Sequence, residues 1–169
     1  TLGKNQYAPL GGVPELTQAI SKIVAAFFGT HYDAATEITV TAGGTQGLAS
    51  AIAAVVREGD EVIIFTPAYD SYAPVVELHG GVPVFIRLKH PTYHIDWEEV
   101  KRMITRKTRL IIINSPQNPT GTVLAQTDLD QLAHLVANSN ILVLSDEVYE
   151  HITFDGKPHT SVIAHPKLA

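Results

Sequence analysis

An apolar run that ends in acidic and phenolic side chains is the strongest sign of chemistry in this sequence. Residues Ile141–Glu150 read ILVLSDEVYE, so Asp146, Glu147 and Tyr149 come directly after the run. Such a run predicts a fully buried parallel strand, and open α/β sheets bind ligands at the C-terminal ends of their strands. Asp146 could equally cap the turn that follows, because Asp is common in turns. This stretch alone allows both roles.

A glycine-rich turn before a small-residue helix is the second such feature. The strand-like segment Ile38–Thr41 runs into Ala42–Gly47 and then into a helix predicted over Leu48–Val56. This order aims backbone N–H groups and the positive end of a helix at an anion. The missing side chains at Gly43 and Gly44 let a phosphate come close. The lysine of a P-loop and the GxGxxG spacing of a dinucleotide fold are both absent from it, and a plain tight turn fits as well.

Two further predicted strands also end in residues that can contact a ligand. Glu61–Phe65 leads into a turn that places Tyr69 at a strand tip. Arg109–Asn114 leads into Ser115–Gly121, where two prolines and a glycine restrict the backbone around Asn118. We therefore expect Tyr69 and Asn118 to be held in fixed positions.

The elements that must position these residues alternate along the chain. Predicted helices and one more strand cover Val13–Gly29, Ser71–His79, Val82–Arg87, Asp96–Ile104 and Asp128–Asn138, and a hairpin is expected at Ile152–Phe154 with its turn at Asp155–Gly156. Alternating helices and buried strands predict an α/β fold, a three-layer α/β/α arrangement with a mostly parallel sheet. The polar strand ends then converge on one edge of the sheet. An anion site, an aromatic face, an amide and a carboxylate on that edge suit a flat, phosphorylated, nitrogen-containing ring.

Composition limits the classes of function. The chain has 169 residues, 45% of them hydrophobic, which fits one domain. A net charge of -5 without long runs of one sign argues against nucleic acid or an anionic membrane as partner. Cysteine is absent and the eight histidines are scattered along the chain, so we expect no disulfide and no metal site. No stretch approaches a membrane span, and TLGKNQYAPL has neither a signal core nor an initiating Met, which favours a cytoplasmic protein and a piece of a longer chain.

Taken in order, the motifs resemble those of a known family. They are NQYAP, VTAGGTQGL, TPAYDSY, NSPQNPTG and SDEVYEHI, and they cover essentially the whole chain. They resemble the pyridoxal-phosphate-dependent aminotransferases of fold type I, class I/II. NPTG followed by a buried strand and D-x-x-Y is the most specific part. The resemblance is closest to the methionine and kynurenine aminotransferase branch.

The resemblance implies a site for pyridoxal 5′-phosphate. Gly44, Thr45 and Gln46 would hold the cofactor phosphate, and Tyr69 would stack on the pyridine ring. Tyr7, which by itself is most simply a packing residue, would reach the phosphate of the partner subunit's cofactor. The resemblance therefore also implies a homodimer with shared sites.

The same resemblance assigns the polar contacts of the ring. Asn118 and Tyr149 would hydrogen-bond the ring hydroxyl oxygen, and Asp146 would pair with the protonated ring nitrogen. That pairing lets the ring accept the electrons released when the substrate Cα loses its proton. Asp146 and Tyr149 are thus the implied catalytic residues, and we expect all three side chains to face one cavity. Cis peptide bonds are implied at Thr66–Pro67 and Asn118–Pro119.

One family feature is missing. The cofactor lysine belongs to an S-x-x-K segment downstream of D-x-x-Y, and no serine here is followed three positions later by lysine. The arginine that binds the substrate carboxylate belongs to the family's C-terminal part, which is also absent. We therefore expect residues 1–169 to be the central part of the cofactor-binding large domain, without the small domain and the lysine segment, and inactive alone.

The function implied is transfer of an amino group between an amino acid and a 2-oxo acid. A pyridoxal-phosphate-dependent C–S lyase on the same scaffold is the nearest alternative. A non-catalytic module that senses the cofactor is a second alternative, which a DNA-binding extension would mark, and this sequence has none.

Overall fold

The computed structural model describes residues 6–168. They fall into two compact units, Thr1–Gly47 and Leu48–Ala169, with the boundary inside helix α2, Gly44–Val55. This division differs from the single domain that the chain length predicts. All strands belong to the larger unit, and within its described part the smaller unit has none.

Helix α1, Pro14–Phe28, is the main element of the smaller unit. It begins and ends where the sequence predicts, because Pro14 suits the first turn and Gly29 takes the left-handed conformation at φ 72°. Its predicted apolar face is largely exposed, as at Ile23 and Phe27. The predicted strand Ile38–Thr41 is not a strand. Its Val40 N–H donates to Gly11 at 2.9 Å, and no described strand pairs with it, so it has no ladder to join.

The larger unit contains a four-stranded parallel sheet in the order β2-β1-β3-β4. The strands are β1, Glu61–Thr66; β2, Val82–Arg87; β3, Thr108–Asn114; and β4, Leu142–Asp146. From β1 the chain moves to β2 on one side, and β3 and β4 lie on the other. The connections that leave β1 and β3 therefore run in opposite directions along the sheet. Such a switch point forms a crevice at the carboxyl edge, the edge where the C-terminal ends of the strands lie.

Helices cover both faces of the sheet. They are α3, Tyr72–Leu78; α4, Trp97–Met103; α5, Gln126–Val136; and the short 3-10 helix Val162–Ala164, besides α2. Ile64 and Ile112 belong to one core with Ile52 of α2 and Val76 of α3, while alternate strand residues pack with α4 and α5. Successive side chains of a strand point to opposite faces of the sheet, so these two sets of contacts place helices on both faces. This arrangement confirms the predicted three-layer α/β/α fold. Among the described residues, no helix has the length and apolarity needed to cross a membrane.

Two further expectations from the sequence are wrong. Strand β4 is not fully buried: it lies at the edge of the sheet with β3 as its neighbour, and Leu142 is 40% exposed. The hairpin at Ile152–Phe154 is absent, although its turn exists, since Asp155 and Gly156 have φ of 60° and 66° and Lys157 N–H donates to Phe154. The turn signal is local, whereas strand pairing requires partners that these residues do not contact.

Candidate functional site

Asp146 ends β4 at the carboxyl edge of the sheet. Its backbone carbonyl accepts from the Asn114 amide at 2.9 Å and from Ser115 N–H at 3.1 Å. Its carboxylate accepts twice, at Oδ1 from Val148 N–H at 3.2 Å and at Oδ2 from the Tyr72 hydroxyl at 2.6 Å. Asp146 therefore caps the following turn and also presents a carboxylate whose two oxygens are held by separate donors.

Tyr72 is a site residue that the sequence reasoning missed. It is the first residue of α3, only 3% exposed, and its ring meets that of Tyr69 edge-on at 5.7 Å between centroids. Burial raises the pKa of Tyr72 far above its ordinary value, and the hydrogen bond and charge of Asp146 raise it further. The hydroxyl therefore stays protonated and donates to the carboxylate. The Y-x-x-Y spacing after β1 was the available signal, since it places Tyr69 just before α3 and Tyr72 at its first residue.

Asn118 is tied to Asp146 through Asn114. The Asn118 backbone N–H donates to Asn114 Oδ1 at 2.7 Å, while the amide group of Asn114 donates to the Asp146 carbonyl. One side chain thus fixes the ends of β3 and β4 relative to each other. The sequence placed Asn114 at a strand end without giving it this role. The Thr66–Pro67 and Asn118–Pro119 bonds are cis, as expected, and so are His90–Pro91 and Ser115–Pro116.

Gln117 joins the end of β3 to the end of β1. Its amide group donates to the Pro67 carbonyl, and its side-chain oxygen accepts from Thr120 N–H at 2.9 Å and from the Thr120 hydroxyl. Gln117 is buried. Because Pro67 lies two residues before Tyr69, this contact sets the spacing between the aromatic ring and Asn118.

Asn118 and Tyr149 line an open groove of about 1030 Å³. Asp146 is not among its lining residues, and its Oδ2 is turned to Tyr72 instead. That all three side chains face one cavity therefore stays a prediction. Among the lysines that the structure describes, Lys157 is the one that lines this groove.

The glycine turn precedes α2, which begins at Gly44, four residues earlier than predicted. Gln46 Oε1 accepts from Ala42 N–H at 2.6 Å and braces the turn, and Gly43 has φ of 97°. A Cβ at Gly43 or Gly44 would meet no atom within 4 Å, so the approach to the helix start is open. The first N–H groups of a helix have no intrahelical acceptor, and they form its positive end. Thr45 and Tyr7 are both exposed in this unit.

Glu147 forms a network that spacing in the sequence does not indicate. Its Oε1 accepts from Ser145 Oγ at 2.7 Å and from Val162 N–H at 3.0 Å, and its Oε2 lies 2.6 Å from His159 Nε2. Ligand atoms of Glu147, Glu150 and His159 lie within 4.8 Å of one another. Both oxygens of Glu147 are already used by hydrogen bonds, so Glu147 fastens the end of β4 to the segment around Val162.

Comparison with known proteins identifies the family. Residues 3–169 match the family model for aminotransferase class I and II. The chain belongs to this family. It is 48% identical to the methionine aminotransferase of Escherichia coli (strain K12), over 98% of this chain and 43% of that protein. It is 42% identical to a probable N-succinyldiaminopimelate aminotransferase, DapC, of Mycobacterium tuberculosis (strain ATCC 25618 / H37Rv), over 99% of this chain and 43% of that protein.

The fold agrees with that of solved class I and II aminotransferases. A crystal structure of YbdL from Escherichia coli, described with a methionine aminotransferase function, superposes with a TM-score of 0.96 at 48% identity. The match covers 98% of this chain and 44% of that one. The chain therefore spans less than half the length of the relatives it matches.

Class I and II aminotransferases use pyridoxal 5′-phosphate. The chemistry of the donor set fits this cofactor. Asp146 offers a carboxylate without an ion-pair partner among the described basic side chains, which suits a protonated ring nitrogen. The open start of the 12-residue helix α2 suits a phosphate.

Proposed function

We propose that the complete protein to which this chain contributes transfers an amino group between an amino acid and a 2-oxo acid with pyridoxal 5′-phosphate. The observation that carries this proposal is the state of Asp146 at the carboxyl edge of the sheet. Its oxygens are held by a backbone N–H and a neutral phenol rather than by a cation. The negative charge is therefore fixed in direction but not neutralised, which is what a cationic ring nitrogen requires.

The proposed contacts divide the cofactor among the strand ends and the helix start. When bound, pyridoxal phosphate supplies a ring that accepts electrons. Asp146 keeps the ring nitrogen protonated, and Asn118 and Tyr149 donate to the ring hydroxyl oxygen. Tyr69 would stack on the face of the ring, and Gly44, Thr45 and Gln46 would bind the phosphate. Tyr7 would reach the phosphate of the cofactor in the partner subunit.

We also propose that residues 1–169 are the central part of the cofactor-binding large domain. The lysine that binds the cofactor and the small domain then lie in other segments of the complete protein, which acts as a cytoplasmic homodimer. Support comes from the lysines themselves, since those that the structure describes are exposed: Lys22, Lys89, Lys101, Lys107, Lys157 and Lys167. Lys4 lies outside the described residues.

Two measurements test the function. In the complete protein, adding an amino acid should convert the bound cofactor to its amine form, seen by absorbance, with one 2-oxo acid formed per cofactor and no ammonia. A second 2-oxo acid should then restore the original spectrum. Continuous release of ammonia and a thiol would identify a C–S lyase instead. Binding of the cofactor without any conversion would identify a sensing module.

The chain by itself tests the assignment of the missing lysine. It is mixed with pyridoxal phosphate and reduced with borohydride, and modified lysines are mapped by mass spectrometry. We expect scattered, substoichiometric labelling and no amino-acid-dependent conversion of the cofactor. A single stoichiometric adduct, with Lys157 in the groove as the position to inspect first, together with conversion, would contradict the proposal.

A further inference from the structure

The ring of Tyr72 and its hydroxyl have separate tasks. The ring lies in the core that includes Ile64, Ile112 and Val76, where a phenylalanine would bury the same apolar surface. The hydroxyl makes one described hydrogen bond, to Asp146 Oδ2. Packing alone therefore accounts for an aromatic ring at this position but not for the oxygen.

The hydroxyl supplies the second described donor to the Asp146 carboxylate. Val148 N–H holds Oδ1, and without Tyr72 this contact at 3.2 Å would be the only described one on the carboxylate. A carboxylate with one oxygen tethered can still rotate about its Cβ–Cγ bond, whereas donors on both oxygens fix its plane.

We propose that Tyr72 is a positioning residue that holds the Asp146 carboxylate in the orientation and ionised state required by the ring nitrogen of pyridoxal phosphate. The inference rests on the proposed function. A phenol that donates to a carboxylate spreads its negative charge and lowers its affinity for a proton. The shared proton then stays on the ring nitrogen rather than moving to Asp146. The high pKa of Tyr72 ensures that the phenol donates over the whole physiological range.

The test uses the complete protein loaded with pyridoxal phosphate labelled with ¹⁵N in the ring. In Tyr72→Phe the ring nitrogen resonance should move toward the unprotonated position. Conversion of the cofactor by an amino acid in a single turnover should slow about tenfold, the order expected for one hydrogen bond to a charged group. The KM for the amino acid should stay within about twofold, since the lost contact does not touch the substrate.

Tyr32→Phe is the matched control, because it removes a phenolic oxygen from a partly buried ring that is not among the residues lining the groove. It should leave the resonance and the rate unchanged. A double-mutant cycle with Asp146→Asn then shows whether Tyr72 affects the ring nitrogen through Asp146. If Tyr72 acts through Asp146, Tyr72→Phe should have no further effect on the resonance in the Asp146→Asn background.

The outcomes separate this inference from the proposed function. Equal behaviour of Tyr72→Phe and Tyr32→Phe, or an undiminished effect in the Asp146→Asn background, overturns the role of Tyr72 alone. A normal resonance and rate in Asp146→Asn overturns the role proposed for Asp146 and the inference with it. If Tyr72→Phe does not fold, 3-fluorotyrosine in place of Tyr72 gives a more acidic phenol in the same packing. It should shift the resonance toward the protonated position, and no shift or the opposite shift contradicts the proposal.

Discussion

The loops after β3 and β4 both carry proposed cofactor contacts, but they are held in different ways. After β3, Ser115 and Gln117 are buried, and most of their side-chain hydrogen bonds stay within residues 115–124, as when Ser115 Oγ accepts from Leu124 N–H at 3.0 Å. The donation of Gln117 to the Pro67 carbonyl is the exception. After β4, Asp146 and Glu147 are held by residues far along the chain, and the segment beyond them exposes Val148 at 68% and Phe154 at 75%. The β3 loop is held mostly by its own residues, whereas the β4 end depends more on other elements.

This difference suits the two groups that the loops present. Asn118 is neutral, and a loop closed on itself is enough to aim it. Asp146 is charged, and both its direction and its proton affinity depend on the donors around it. We therefore expect substitutions near β3 to act locally and substitutions at distant partners of β4 to affect the chemistry.

The largest effect should come from removing the charge itself. In the complete protein, Asp146→Ala should lower turnover by on the order of 10³, against roughly 10² or less for Asn118→Ala, because only the first removes the partner of the ring nitrogen. Retention of the cofactor in dialysis should change much less than turnover in both variants. Near-normal turnover of Asp146→Ala would contradict the proposal that the end of β4 carries the partner of the ring nitrogen.

The role of Gln117 in holding the β3 loop can be tested by removing its side-chain amide. Gln117→Leu leaves the Pro67 carbonyl and the Thr120 hydroxyl without this partner, and should lower the free energy of unfolding by about 2–3 kcal/mol. Urea unfolding of the complete protein measures the change. Gln131→Leu, the same replacement at an exposed position of α5, should stay within about 0.5 kcal/mol. Equal midpoints for the two variants would show that the loop does not depend on Gln117.

Sequence reasoning succeeded where the determining signal is local. Pro14, Gly29 and Asp96 mark helix ends through backbone geometry and capping, and Asp96 does accept from Glu98 and Glu99 N–H at 3.1 Å. Runs such as IIFT and LIIIN predict buried strands because their apolar residues must leave water. The α/β class and the family follow from these runs and from the motifs at their ends.

The same reasoning failed where partners are distant. Tyr72 and Asp146 are 74 residues apart, Gln117 and Pro67 are 50 apart, and Asn114 and Asp146 are 32 apart, and no spacing rule connects such pairs. The edge position of β4 and the missing ladder at Ile38–Thr41 have the same cause, since pairing depends on which strands become neighbours. The residues that orient the site are thus the ones the sequence does not reveal.

A smaller effect is expected at Glu147, which ties the β4 end to the segment around Val162. Glu147→Gln keeps one acceptor oxygen but loses the second, so the free energy of unfolding should fall by about 1–2 kcal/mol. Hydrogen exchange of the Val162 amide should also become faster. Glu150→Gln is the control, because its contact with His151 at 3.4 Å is largely exposed and should contribute about 0–1 kcal/mol. Identical exchange at Val162 in both variants would contradict the network's role.

The smallest effect is a pH dependence at the same end of β4. The folded protein holds the pKa of Tyr72 above its ordinary value of 10.0, so above that pH the unfolded chain loses a proton that the folded chain retains. Stability must then fall as pH rises, because the folded state binds more protons. Tyr72→Phe should be less stable near neutrality, where the hydrogen bond to Asp146 is lost, yet its urea midpoint should fall less steeply than that of the parent between about pH 9 and about pH 11. If Tyr72→Phe keeps the steeper parental slope, the phenol ionises in the folded protein as readily as in water, and it cannot serve as the constant donor that distinguishes the β4 end from the β3 loop.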